Sequence, residues 1–241
     1  MPLRRDRSGK DEIRRTKPLL NQHTHTLANG YTVVVKVRLI VSLGILFFGM
    51  PLVAGDRPLL ICFGDSITAG YGLGRGESYP DALQRDLDKL GSNYKVENMG
   101  TSGATTKDAV VRLNSVISLR PAIVVVEFGG NDGLRGLPLT QTEQNLDTVL
   151  TKLEGARIQV LLAGITLPPN YGPDYVHQFD KIFVDLTAKH HTATVPMIYK
   201  DLVRVPGTIQ PDGIHPTAKG SEMIARTLLA ALRPLLRKSH D

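Results

Sequence analysis

Beyond residue 55 the chain alternates short apolar runs with longer stretches in which apolar positions recur every three or four residues. The runs at 59–63, 94–98, 122–128, 159–165 and 194–199 have the length and composition of strands. The stretches at 79–90, 106–119, 140–154, 175–190 and 217–236 carry the spacing of amphipathic helices. Segment 122–128 (AIVVVEF) is nearly all apolar, as a central strand covered on both faces requires. Strands that alternate with helices imply parallel pairing, because a parallel neighbour is reached only through a crossover long enough to hold a helix. The pattern therefore predicts an α/β fold: a three-layer α/β/α domain built on a flavodoxin-like five-stranded parallel sheet. No repeat or low-complexity tract interrupts it.

In such open sheets ligands bind beyond the carboxyl ends of the strands, near the point where strand order reverses. The residues that follow each predicted strand are therefore the ones to inspect. They are Gly64, Asp65 and Ser66 after the first; Gly100, Thr101, Ser102 and Gly103 after the second; and Gly129, Gly130, Asn131 and Asp132 after the third. After the fifth, ahead of the last helix, come Asp212, Gly213, Ile214, His215 and Pro216. One rim thus gathers a hydroxyl, an amide and an Asp/His pair.

Together these groups suit acyl transfer. A serine hydroxyl becomes an effective nucleophile when a neighbouring base takes its proton, and histidine is the side chain whose ordinary pKa suits that task near neutrality. Asp212 stands three residues before His215, so a tight turn can bring its carboxylate to the imidazole. A tetrahedral intermediate needs donors aimed at its oxyanion, and Ser66 N–H, Gly103 N–H and the Asn131 amide can supply them. Singly these signals are weak: Gly-Asp-Ser also reads as a helix cap, and Gly-x-Asn-Asp as a polar turn. Asp174 and His177 repeat the three-residue spacing of Asp212 and His215, but at the opening of a predicted helix, where Asp is an ordinary first-turn residue. Leu134, Leu137, Leu167, Pro168 and Tyr171 follow the third and fourth strands; they are expected to line an acyl groove, with ordinary loop packing as the alternative.

Charge and the amino-terminal region change the picture in one respect. The formal net charge is +6, from 29 Lys/Arg and 23 Asp/Glu. Nine of those bases and three of those acids fall in residues 1–38, so the remaining chain is balanced and gives no footing for nucleic acid. Residues 39–55 carry no charge, follow Lys36 and Arg38, and end in Val53, Ala54 and Gly55. They read as an export signal cleaved before Asp56, with an uncleaved inner-membrane anchor as the alternative. Cleavage would leave 56–241 as a periplasmic or secreted domain, touching membrane only through the apolar segment if that segment is retained. The polar leader 1–38 is expected to be disordered or untranslated; it fits a precursor poorly, and a later translation start at Val33, Val34, Val35 or Val37 would remove it. Cys62 is the sole cysteine, which excludes an intramolecular disulfide and a thiolate metal cluster.

The conjunction of motifs resembles a known family. Ser66 within GDS, Gly103, Asn131 within GGND and His215 within DGIHP match the four blocks of the SGNH (GDSL) hydrolases in order and spacing, across essentially all of 59–237. The segments EFGGNDGLRG (127–136), QTEQNL (141–146) and LPPNYG (167–172) look like the branch of periplasmic acyl-CoA thioesterases, with protease and lysophospholipase activity, and bacterial arylesterases. The resemblance implies a serine esterase of the SGNH fold that hydrolyses small-molecule acyl esters and thioesters with no cofactor and no metal. It implies Asp212 and His215 as the catalytic partners of Ser66, and Asp65 and Asp132 as hydrogen-bonding groups of the two loops. A carbohydrate O-deacetylase of the same superfamily and a non-catalytic binding module are the rival readings. The glycine-rich GYGLGRG (70–76) lacks both the Gly-Lys-Ser/Thr ending of a phosphate loop and the dinucleotide fingerprint.

Overall fold

The computed structural model describes residues 57–236, together with β1 (Thr24–Thr26) and β2 (Thr32–Val34), which pair antiparallel with His25 opposite Val33. That pair belongs to one unit of the chain, Met1–Val53, and the α/β domain to a second, Ala54–Asp241. The expected apolar export segment at 39–55 and the rest of the leader lie outside the described residues. Among the described residues no helix is long and apolar enough to cross a membrane.

The domain is the predicted α/β sandwich. Strands β3 (Leu59–Gly64), β4 (Lys95–Gly100), β5 (Ile123–Glu127), β6 (Gln159–Ala163) and β7 (Ala193–Val195) form one all-parallel sheet in the order β4-β3-β5-β6-β7. Every residue of β5 is buried, and β3 and β6 are buried beyond their first residue. The edge strand β4 is half-exposed and carries Lys95 and Glu97, charges that discourage pairing with another chain.

After β3 the chain forms α1 (Ser66–Ala69) and α2 (Tyr79–Lys89) and returns through β4. It then crosses back by α3 (Thr106–Ser118) to β5, and onward by α4 (Gly130–Leu134), α5 (Leu139–Gly155), β6, α6 (Pro173–His190) and β7. Right-handed crossovers in opposite senses put α2 on one face of the sheet and α3, α5 and α6 on the other. The final helix, α7 (Ala218–Leu232), packs against α2, while α3 packs on α5 and α5 on α6. Helix starts follow their local chemistry. Ser78 and Thr105 each close a capping box with the acid three residues on, Asp81 and Asp108.

Expected element bounds differ from the structure in places, for physical reasons. The last strand spans only Ala193–Val195, because Pro196 cannot donate to a ladder and the chain turns there. Ile198 and Tyr199 are apolar because that turn folds them into the core. The final helix stops at Leu232, two residues before Pro234. Helices α1 and α4 are single turns, too short to leave a periodic signal.

One close approach positions the functional rim. At Gly100, the end of β4, a Cβ would lie 2.2 Å from the Ala69 backbone nitrogen and 2.6 Å from the Thr68 carbonyl carbon. Only a residue without a side chain lets α1, which begins at Ser66, lie against β4. Gly100→Ala is expected to destabilise the domain by about 1–3 kcal/mol and to lower turnover as α1 shifts. Thermal unfolding and kcat check this; a variant matching the wild type in both would show that α1 is free to move.

Candidate active site

The strand order reverses between β3 and β5, since the chain leaves β3 toward β4 and returns to β5 on the other side. The expected crevice opens at that point. Asp65 follows β3 and is the N-cap of α1; its Oδ1 accepts the Ile67 N–H at 3.0 Å. This cap sets Ser66 as the first helical residue, and Gly70 in the left-handed conformation ends the turn. Ser66 is 9% exposed, so its hydroxyl faces a sheltered space rather than open solvent.

His215 reaches the same space from the loop ahead of α7. That loop is tied down along its length. The Gln210 N–H donates to His215 O at 2.8 Å, the Thr217 N–H to Thr208 O at 2.9 Å, and the Tyr199 hydroxyl to Ile214 O at 2.9 Å. The Gln210 side chain also donates to Tyr71 O at 2.8 Å, joining this loop to the segment after α1. The Tyr71 ring lies on the His215 ring, with centroids 4.5 Å apart.

The geometry of the three central groups is that of a proton relay to serine. His215 Nε2 is 2.9 Å from Ser66 Oγ, and His215 Nδ1 is 2.7 Å from Asp212 Oδ2. A carboxylate can only accept, so Nδ1 carries the hydrogen and the Nε2 lone pair is left for the Ser66 hydroxyl. Asp212 Oδ1 accepts the N–H groups of Ile214 at 2.9 Å and His215 at 3.0 Å. Partial burial works to raise the Asp212 pKa, but the bonds from Ile214 N–H, the His215 ring and His215 N–H outweigh it and hold the group below the ordinary carboxylate value.

The expected oxyanion donors divide into two kinds. The N–H groups of Ser66 and Gly103 have no acceptor among the described residues. Gly103 adopts φ +79°, a left-handed conformation that favours glycine. Asn131 is engaged: its Nδ2 donates to Asp65 Oδ2 at 3.1 Å and to Ala104 O at 3.0 Å. For that amide to meet an oxyanion, one of these two bonds must give way. Arg135 Nη2 donates to Gly103 O at 3.0 Å and to Asn131 Oδ1 at 3.4 Å, fixing which end of the amide is the donor. Asp132 sits behind the loop, buried, accepting Thr106 N–H at 2.9 Å and the Thr106 hydroxyl at 2.6 Å. It welds α4 to the start of α3.

A cleft of about 240 Å³ adjoins these groups. Ser66, Gly103, Asn131 and His215 form its polar side, and Ile67, Tyr71, Leu134, Ile165 and Ile214 its apolar side. Of the residues expected to line an acyl groove, Leu134 does so. The other four stand elsewhere: Leu167 is buried and packs where Gly133 leaves room, and Tyr171 donates to Leu134 O at 2.9 Å. Pro168 precedes the short 3-10 turn Pro169–Tyr171, and Leu137 is 37% exposed. Tyr71, Ile67, Ile165 and Ile214 were not singled out by sequence, although Ile165 follows β6 at the rim position the fold marks for ligand contact. Asp174 lies in the first turn of α6, and His177 lines a separate cleft with Pro169, Pro173, Val176 and Asp180, which holds no serine.

With the fold and geometry established, comparison with known proteins places the chain. Residues 62–223 match the model of the GDSL-like lipase/acylhydrolase family, and the chain belongs to that family. It is 39% identical over 178 residues to "Esterase TesA" of Pseudomonas aeruginosa, covering 73% of this chain and 89% of that protein. It is 36% identical over 189 residues to "Thioesterase 1/protease 1/lysophospholipase L1" of Escherichia coli K12, covering 78% and 88% of the two chains. The solved structure of TesA superposes with a TM-score of 0.71 at 38% identity, over 74% of this chain and 99% of that one. The chain is a hydrolase of ester bonds.

A fluorophosphonate probe, which forms a covalent bond to an activated serine, is expected to label this protein at a single residue, Ser66. His215→Ala should slow labelling by about a thousandfold or more, and mass spectrometry of the labelled peptide checks the position. Labelling at any other serine would remove Ser66 from the centre of the site.

Proposed function

We propose that this ester-bond hydrolase works through a covalent acyl-enzyme on Ser66 and cleaves esters and thioesters of acyl chains. The observation that carries the reading is the continuous chain Asp212–His215–Ser66, with links of 2.7 and 2.9 Å, opening on a cleft with one apolar side. Ser66 Oγ attacks the acyl carbonyl as its proton passes to His215 Nε2, and the carbonyl oxygen gains the negative charge. Asp212 stabilises the imidazolium so formed. The oxyanion is met by the N–H groups of Ser66 and Gly103 and by the Asn131 amide. Collapse of the intermediate expels the alcohol or thiol, which takes the proton from His215. Water then attacks the acyl-enzyme by the same steps, releasing the acid and returning the proton to Ser66.

The apolar side chains of Leu134, Ile165 and Ile67 give an acyl chain a surface on which to leave water. Tyr171 supports this surface only indirectly, through its bond to Leu134 O, and Leu137, Leu167 and Pro168 take no part in it. The thioesterase, lysophospholipase and esterase names of the relatives support acyl esters and thioesters as the substrate class. The same reading carries an export role for 39–55 and a periplasmic site of action; a mature protein beginning at Asp56, found by amino-terminal sequencing, checks it.

The test is hydrolysis of p-nitrophenyl esters from acetyl to palmitoyl and of acyl-CoA thioesters, with Ser66→Ala and Asn131→Ala alongside. Rates should rise beyond acetyl, vanish with Ser66→Ala, and fall about a hundredfold to a thousandfold with Asn131→Ala. Activity confined to acetyl groups would transfer the assignment to a carbohydrate deacetylase. Folded protein inactive on every ester would overturn the enzyme reading in favour of a binding module.

A further inference from the structure

Behind the nucleophile lie two carboxyl groups that the acyl-transfer steps do not use. Glu127, the last residue of β5, and Asp65, the cap of α1, are each 1% exposed. Glu127 Oε2 accepts the Thr68 hydroxyl at 2.8 Å and the Asp65 N–H at 3.4 Å. Among the described residues no N–H or O–H reaches Glu127 Oε1, although it is fully buried. The side chains of Glu127 and Asp65 adjoin within hydrogen-bonding reach. Asp65 Oδ1 and Oδ2 accept the Ile67 N–H and the Asn131 amide, so Asp65 holds both the nucleophile turn and an expected oxyanion donor.

Two carboxylates cannot both be ionised in one dry site without a neighbouring cation. Among the described residues the titratable groups around Glu127 are Asp65, Cys62 on β3, Tyr79 on α2 and Tyr199 ahead of the 3-10 turn Leu202–Arg204. None is a base, and burial keeps the thiol and both phenols neutral. The basic group that acts on the pair is His215, through Asp65. An ionised Glu127 would leave Oε1 buried and without a donor; a protonated one turns the carboxyl into a donor facing Asp65.

We propose that Glu127 is a positioning residue that works as a neutral acid, donating a hydrogen bond to the Asp65 carboxylate and so fixing Asp65 against both α1 and Asn131. The proton is shared along one carboxyl–carboxylate contact and no bond to substrate is made. Burial, then the Asp65 charge, pushes Glu127 well above the ordinary carboxyl range, while burial lifts Asp65 to about 6 against the bonds it accepts. One negative charge on the pair is best placed on Asp65, whose two oxygens accept the Ile67 N–H and the Asn131 amide. Because the folded value of Glu127 is raised, its contribution to stability is complete below its unfolded pKa of about 4.3 and is lost as pH climbs through the folded value.

The inference rests on the serine-esterase reading only where turnover is measured, so its test has two arms. The full-length chain and its Glu127→Gln and Glu127→Leu variants are compared by ester hydrolysis and by thermal unfolding from pH 5 to 9. Glutamine keeps a neutral donor, so Glu127→Gln should retain kcat within about threefold, whereas Glu127→Leu should lose tenfold or more with KM nearly constant. The Tm of Glu127→Gln minus that of the wild type should grow with pH. A difference that stays flat or shrinks as pH rises, or a glutamine variant as impaired in kcat as the leucine one, overturns the proposal. Loss of all activity by the wild type would fail the esterase reading alone, since the unfolding arm still reports on Glu127. If Glu127→Gln does not fold, infrared spectra of wild-type protein labelled with ¹³C-glutamate decide the matter. A label-shifted carboxylic-acid carbonyl band at pH 7 supports the neutral acid, and its absence overturns it.

Discussion

A hydrogen bond of 2.9 Å joins Ser66, one residue into the first helix of the domain, to His215, 149 residues later and just ahead of the last. Neither residue can do anything alone, and nothing local brings them together. What does is the packing of α7 against α2 on one face of the sheet. Serine opens α1, which precedes α2 in the chain, and histidine ends the loop that leads into α7. The flavodoxin-type strand order places the crevice between β3 and β5 beneath them, so the amide of Asn131 enters from the opposite side. The rest of the site depends on keeping this one bond in register. Gly100 serves it by allowing α1 to lie on β4, and Gln210 by tying the histidine loop to Tyr71 O.

The site also separates its carboxyl groups by environment. Asp212 sits at the solvent edge, where bonds from Ile214 N–H, His215 N–H and the imidazole outweigh desolvation and keep it ionised. Asp65 and Glu127 lie under Ser66, where desolvation is the largest influence on both. The first environment suits the role proposed for Asp212, holding an ionised carboxylate against the His215 ring. The second suits groups that hold a backbone turn and an amide still while charge develops nearby. Such rigidity favours the Ser66 and Gly103 N–H groups, which have no acceptor among the described residues, whereas Asn131 must first release one of its two bonds.

The apolar side of the cleft shows how far loop residues can be read from sequence. Leu134 lines it, yet Leu167, equally apolar and equally placed after a strand, is drawn into the core beneath Gly133. Tyr171 supports Leu134 through its carbonyl rather than meeting the cleft. Apolarity announces burial, but the choice between burial under a loop and exposure to a ligand is made by the loop's path. Residues on the cleft wall such as Ile214 and Tyr71 are there because the loops carrying Ser66 and His215 fold against each other.

Alternation of apolar runs with helical spacings by itself determined the α/β sandwich, since strand-length runs separated by helix-length stretches admit parallel pairing and little else. That Ser66, Asn131 and His215 meet at one rim was legible for the same reason: an open sheet gathers its strand-end loops at one edge. Gly and Asp at such positions also carry their meaning locally, as a left-handed turn and a helix cap. Element ends at Pro196 and Pro234 obeyed local rules that periodicity obscured, because apolar side chains continue past them into the core. Only the tertiary structure decided that Asn131 spends both amide hydrogens on Asp65 and Ala104, that Arg135 bridges Gly103 to it, and that Glu127 meets Asp65 with one oxygen that no donor reaches among the described residues. Those facts depend on side chains from four loops and strand ends converging within a few ångströms. Contacts between residues far apart in the chain leave no spacing for a sequence pattern to record.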